Sequence, residues 1–132
     1  MSESGRDELV EYRLRRAKET VNELDVLVQN KFWNTAVNRM YYACFYAVSA
    51  LLSQSDIHVQ THSGVRQMFG QKFVKTGLLP RELGKLYSDL FDLRTSGDYD
   101  DFIDIREQDV RELIDQVKHF VTEIDKLIQK ND

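Results

Sequence analysis

Apolar residues recur at spacings of three and four along nearly the whole chain, and short polar breaks separate the runs. That spacing marks one face of a helix. From about Arg6 to Gln29, a stripe of Leu9, Tyr12, Leu14, Ala17, Val21, Leu24 and Val28 predicts an amphipathic helix. Asn30 and Lys31 interrupt it and predict a short turn. From Phe32 to Ser53 the apolar positions cover nearly the whole circumference. A helix of that kind lies at the centre of a bundle or is covered by a second subunit. Ala43, Cys44 and Ala47 keep one part of it thin enough for close helix approach. Gln54 to His62 is a polar loop, and Ser63 is the expected cap of a short helix over about Gly64 to Lys75. Gly77 supplies a stop, and Pro80 suits the first turn of a fourth helix over about Arg81 to Thr95, with Gly97 as its C-cap. A clean stripe from Val110 to Ile128 predicts a last helix over about Glu107 to Gln129. The expected fold is all-α: an up-and-down bundle of four long helices plus one short helix, in a single domain.

Composition sharpens this picture. The 132 residues are 42% hydrophobic and 11% aromatic, enough for a packed core without a disulfide or metal staple. With 22 acids against 18 bases the net charge is -4, which argues against holding duplex DNA by bulk electrostatics. Cys44 is the sole cysteine, so no internal disulfide can form, as suits a reducing compartment. No apolar run approaches a membrane span, and the start Met1-Ser2-Glu3-Ser4-Gly5 is polar with no apolar run behind it. The expectation is a soluble cytoplasmic protein with no membrane partner.

Several chemistries lack a signature. A di-iron bundle needs Glu-x-x-His pairs on facing helices, and none occurs. The acids Asp98, Asp100, Asp101 and Asp104 lack the glycine and closing glutamate of a calcium loop, and are expected to cap the last helix. Neither a P-loop nor a G-x-G-x-x-G run is present, so no metal and no cofactor are expected. Two constellations remain. Leu93-Arg94-Thr95-Ser96-Gly97-Asp98-Tyr99 sets a guanidinium, an acid and a phenol close together, a combination able to bind phosphate and move a proton. In the second helix, Asn38, Arg39 and Tyr42 lie one turn apart and form either a polar pocket wall or a register-fixing ion pair.

The run Ala36-Val-Asn-Arg-Met-Tyr-Tyr-Ala-Cys-Phe-Tyr-Ala-Val-Ser-Ala-Leu-Leu52 resembles the signature of the HEPN family, the higher-eukaryote and prokaryote nucleotide-binding domains. The likeness continues through Thr61-His62-Ser63-Gly64-Val65 and Phe69-x-x-x-Phe73-Val74-Lys75, and into Leu90-Phe91-x-Leu93-Arg94-x-x-x-Asp98-Tyr99. It implies a helical bundle that forms a homodimer. It further implies an RNA- or nucleotide-associated protein of toxin–antitoxin type, partnered by a minimal nucleotidyltransferase. Ribonuclease members carry Arg, then four to six residues, then His. Here Arg94 matches the arginine, but Tyr99 stands where the histidine is expected. A tyrosine titrates near ~10 and is a poor base at neutral pH. The resemblance therefore implies a degenerate motif, with Arg94 on phosphate, Asp98 and Tyr99 beside it, and Asn38, Arg39 and Tyr42 as a second wall. Two alternatives follow: a metal-independent endoribonuclease toxin using Arg94 with Asp98 or His62, or a structural dimeric adaptor.

Overall fold

The computed structural model describes residues 3–99 and 105–131, with side chains at all of these except 96–99. Among these residues five α-helices follow one another: α1 (Glu3–Gln29), α2 (Trp33–Gln54), α3 (His62–Phe69), α4 (Arg81–Tyr99) and α5 (Glu107–Lys130). A π-helical stretch, Gly70–Val74, extends α3. No strand occurs among the described residues, so the fold is an all-α bundle of four long helices and one short one.

α1 and α2 form the most extensive pair, and α2 also packs against α3, α4 and α5. That explains its apolar circumference. Met40, Tyr41, Ala43, Cys44, Ala47, Val48, Ala50 and Leu51 are fully or almost fully shut from water by four helices of the same chain. No second copy is needed to cover them. A chain of rings crosses the interior from Phe120 in α5 through Tyr87 in α4 to Tyr41 in α2. Successive centroids lie 6.1 and 5.7 Å apart, and Phe69 of α3 packs on both Tyr87 and Phe120. Such ring pairs add about 0.5–1.5 kcal/mol each beyond their burial, which fixes α2, α3 and α4 relative to one another.

The connections obey local backbone chemistry. Lys31 takes a left-handed conformation (φ 60°), and the Phe32 N–H donates to the Leu27 carbonyl at 2.9 Å, closing α1 with the bond pattern of a Schellman motif. Asp56 (φ 60°) and the 2.8 Å bond from Ile57 N–H to Leu52 O repeat this at the end of α2. α1 starts at Glu3, three residues before the expected Arg6, and two further boundaries bear on the site. α4 runs through Gly97 to Tyr99. One glycine costs a helix only about 1 kcal/mol, too little to end it unaided. Arg94 therefore lies within α4 rather than at its end. The cap of α3 is Thr61, not Ser63: its extended backbone lets its Oγ1 accept from Gly64 N–H at 2.9 Å. His62 is consequently the first residue of α3 instead of the last of a loop. Thr61→Ala is expected to cost about 1 kcal/mol, read as a lower urea midpoint at unchanged slope.

Candidate functional site

Three helices converge at one end of the ring chain. α2 supplies the consecutive Tyr41 and Tyr42 with Phe45, α3 supplies His62 and Arg66, and α4 supplies Phe91 and Arg94. Tyr41 is the hub. It is fully buried, its hydroxyl lies 2.8 Å from Nδ1 of His62, and its ring contacts those of Tyr42, Phe45, Tyr87 and Phe91. Burial pushes its phenol above the ordinary value, so the hydroxyl keeps its proton. The imidazole of His62 stacks on Phe45 with centroids 4.4 Å apart and planes 20° apart, and Tyr42 meets it edge-on at 6.0 Å. Rings on several sides and one hydrogen bond leave this histidine little freedom.

The Arg94 guanidinium packs over the same two tyrosines, 5.1 Å from the Tyr41 centroid and 5.3 Å from that of Tyr42. Its Nε is buried without a hydrogen-bond partner, and no ion pair joins it to a carboxylate among the described residues. Cation–π contact recovers part of the lost hydration, on the order of 0.5–2 kcal/mol. A buried donor left unpaired still costs about 1–3 kcal/mol. The arrangement thus suits an incoming anion. Desolvation, and then the Arg94 charge, hold the His62 imidazole below its ordinary value of 6.5. At neutral pH it is uncharged, with a lone pair to offer. The tautomer that donates Nδ1–H to the Tyr41 oxygen frees Nε2 to take a proton.

The residues expected from the sequence fall into three groups. Arg94, His62 and Tyr42 come together. Arg39 reaches the Tyr42 ring at 5.7 Å, but its Nε is paired with Glu23 of α1 at 3.1 Å, so it ties α2 to α1. Asn38 is half-buried one turn before Tyr42 on α2. The side chains of Asp98 and Tyr99 lie outside the described residues, as do Asp100, Asp101 and Asp104. Tyr41 was missed, because inside an all-apolar run nothing distinguishes it from its neighbours. Arg66 was missed too: it packs over Phe91 at 4.2 Å and pairs with Asp92 at 3.4 Å, placing a second cation near Tyr41. Among the described residues no group of His, Cys, Asp and Glu could hold a metal ion, and no helix is long and apolar enough to cross a membrane.

This geometry sits in a sequence whose relationships are plain. Residues 10–127 match the HEPN domain. The chain belongs to the HEPN family. A UPF0332 protein of Thermotoga maritima is 40% identical over 124 residues, covering 94% of each chain. A Methanocaldococcus jannaschii protein named "Putative toxin MJ0142" is 33% identical over 123 residues, which is 92% of this chain and 84% of its own length. Another from that organism, named "Putative toxin MJ0605", is 31% identical over 114 residues, covering 86% and 84%. The matched stretch of this HEPN domain contains every side chain of the Arg94–His62–Tyr41 cluster.

Proposed function

We propose that this HEPN domain is a toxin-type protein that cleaves single-stranded RNA without a metal, using Arg94 and His62. The observation that carries the reading is the Arg94 guanidinium, its Nε buried and without a carboxylate partner among the described residues, packed on the two tyrosines that also hold His62. The names of two relatives support the toxin role.

The chemistry is internal transesterification. His62 Nε2 takes the proton of a ribose 2′-hydroxyl, whose oxygen attacks the adjacent phosphorus. The bond from phosphorus to the 5′-oxygen breaks, leaving a 2′,3′-cyclic phosphate, and the departing 5′-oxygen takes a proton from water to become a hydroxyl. Arg94 offsets the charge that builds on the phosphorane oxygens. Tyr41 positions the imidazole, and Asp98 and Tyr99 modulate the phosphate contact. In this reading His62 replaces the histidine that the motif lacks at Tyr99. Asn38, Arg39 and Tyr42 form the supporting wall. The partner is a nucleotidyltransferase acting as antitoxin, and the working form is a homodimer; the family resemblance supports both.

The test is cleavage of a labelled single-stranded RNA by the purified chain in excess EDTA. His62→Ala should reduce the rate at saturating RNA by roughly a hundredfold or more. The rate of the unaltered protein should be flat near pH 7 and fall as the pH drops below the ordinary imidazole value, because the base is the deprotonated form. Undiminished cleavage by His62→Ala, or cleavage abolished by EDTA, would refute this mechanism.

A further inference from the structure

Beside the Arg94–His62 cluster lies a pocket of about 590 Å³, walled by α1, α2, the 57–61 segment and the start of α3. Phe45 and His62 belong both to this pocket and to the ring cluster, so the two spaces adjoin. Tyr12 and Arg13 of α1, Tyr46 of α2, and His58 and Gln60 of the connecting segment also line it. Nothing in the cleavage chemistry uses these groups.

Three features of the lining go together. It holds several aromatic rings, and Tyr12 is left 51% exposed where a core position would bury it. Arg13 is held in place, its Nη1 donating to Ser53 Oγ and to the Ser49 carbonyl; Arg16, outside the lining, lies 5.3 Å from the Tyr46 centroid and pairs with Glu19 at 3.0 Å. No aspartate or glutamate lines the pocket, although the chain has 22 acids against 18 bases. An apolar protein segment would gain nothing from the fixed cation of Arg13. A phosphate-linked ring would gain from all three features.

We infer that this pocket receives a nucleobase of single-stranded RNA, adjacent to the phosphate bound at Arg94. The inference rests on the proposed reading for that phosphate. The volume lies within the usual range of about 300–1,000 Å³ for small-ligand sites. Unstacked bases bind on Phe, Tyr and His faces and are recognised at their edges by amides. Gln60 provides both a donor and an acceptor for such an edge. The absence of carboxylates lets the attached backbone approach without repulsion.

Two probes test it by equilibrium binding: a mixed-sequence RNA octamer, and an octamer of the same backbone with abasic riboses. Tyr12→Ala, a change at a half-exposed position, should weaken octamer binding about tenfold and leave the abasic backbone bound as before. Gln60→Ala should act in the same direction, and Arg94→Ala should weaken both probes. If both pocket variants bind the octamer as the unaltered protein does, or if Tyr12→Ala weakens both probes equally, the nucleobase pocket is refuted while the Arg94 site stands. If Arg94→Ala binds both probes normally, the phosphate reading fails, and with it the placement of the base beside that phosphate.

Discussion

Arg94→Ala is expected to lower RNA cleavage by about a hundred- to a thousandfold, the usual cost of removing one donor aimed at transition-state charge, with little loss of stability. The stability half of this expectation comes from the packing. Arg94 leaves its Nε buried and unbonded, so alanine removes a cost along with the contacts to Tyr41 and Tyr42. Those two terms are of similar size, and the net change should stay within about 1 kcal/mol. Arg94→Lys should rescue little, since an ammonium lacks the planar fork that grips two phosphate oxygens. A second readout checks proximity independently of activity. The Arg94 charge helps hold the His62 imidazole low, so in Arg94→Ala its titration, followed by NMR, should move upward. A variant that melts much lower yet cleaves and binds as before would make Arg94 a structural residue.

Tyr41→Ala should be the most damaging single change to the fold, at about 3–5 kcal/mol for truncating a buried ring. Tyr41 is 0% exposed and touches five other rings from α2, α3 and α4. Its loss opens a cavity where three helices meet and frees His62 at the same time. Tyr41→Phe separates the two effects: it keeps the ring, costs about 1 kcal/mol, and should still slow cleavage, because nothing then orients Nδ1. Urea unfolding of both variants, with cleavage rates for Tyr41→Phe, checks this. Alanine at Tyr42 or Phe45 should cost less than at Tyr41, since both rings are only partly buried. A melt unchanged by Tyr41→Ala would mean that the ring chain does not hold these helices.

The family and the helical architecture could be read from one dimension because their signals are local. Spacings of three and four from Leu9 to Val28 and from Val110 to Ile128 define helices whatever they pack against, and the scarcity of breakers leaves few other folds. Boundaries were less legible. Thr61 and Ser63 are equally good caps on paper, and the choice fell to the backbone that could adopt an extended conformation before Gly64. Gly97 looked like a stop, but a glycine ends a helix only where the chain also turns left-handed, as Gly77 does at φ +84°.

Within the candidate site, the sequence by itself named Arg94, His62 and Tyr42 as chemical types, yet it could not bring them together. They are spread over α2, α3 and α4, and only the crossing of those helices converges them on Tyr41. The same is true of pairing. Arg39 and Arg94 are both arginines near tyrosines in sequence terms. Tertiary packing gives one the Glu23 carboxylate and leaves the other's Nε buried and unbonded. Helix periodicity is set by a residue's neighbours a turn away, so the sequence determined it. Burial, partners and the state of an imidazole depend on groups tens of residues distant, and for those the folded chain alone decided.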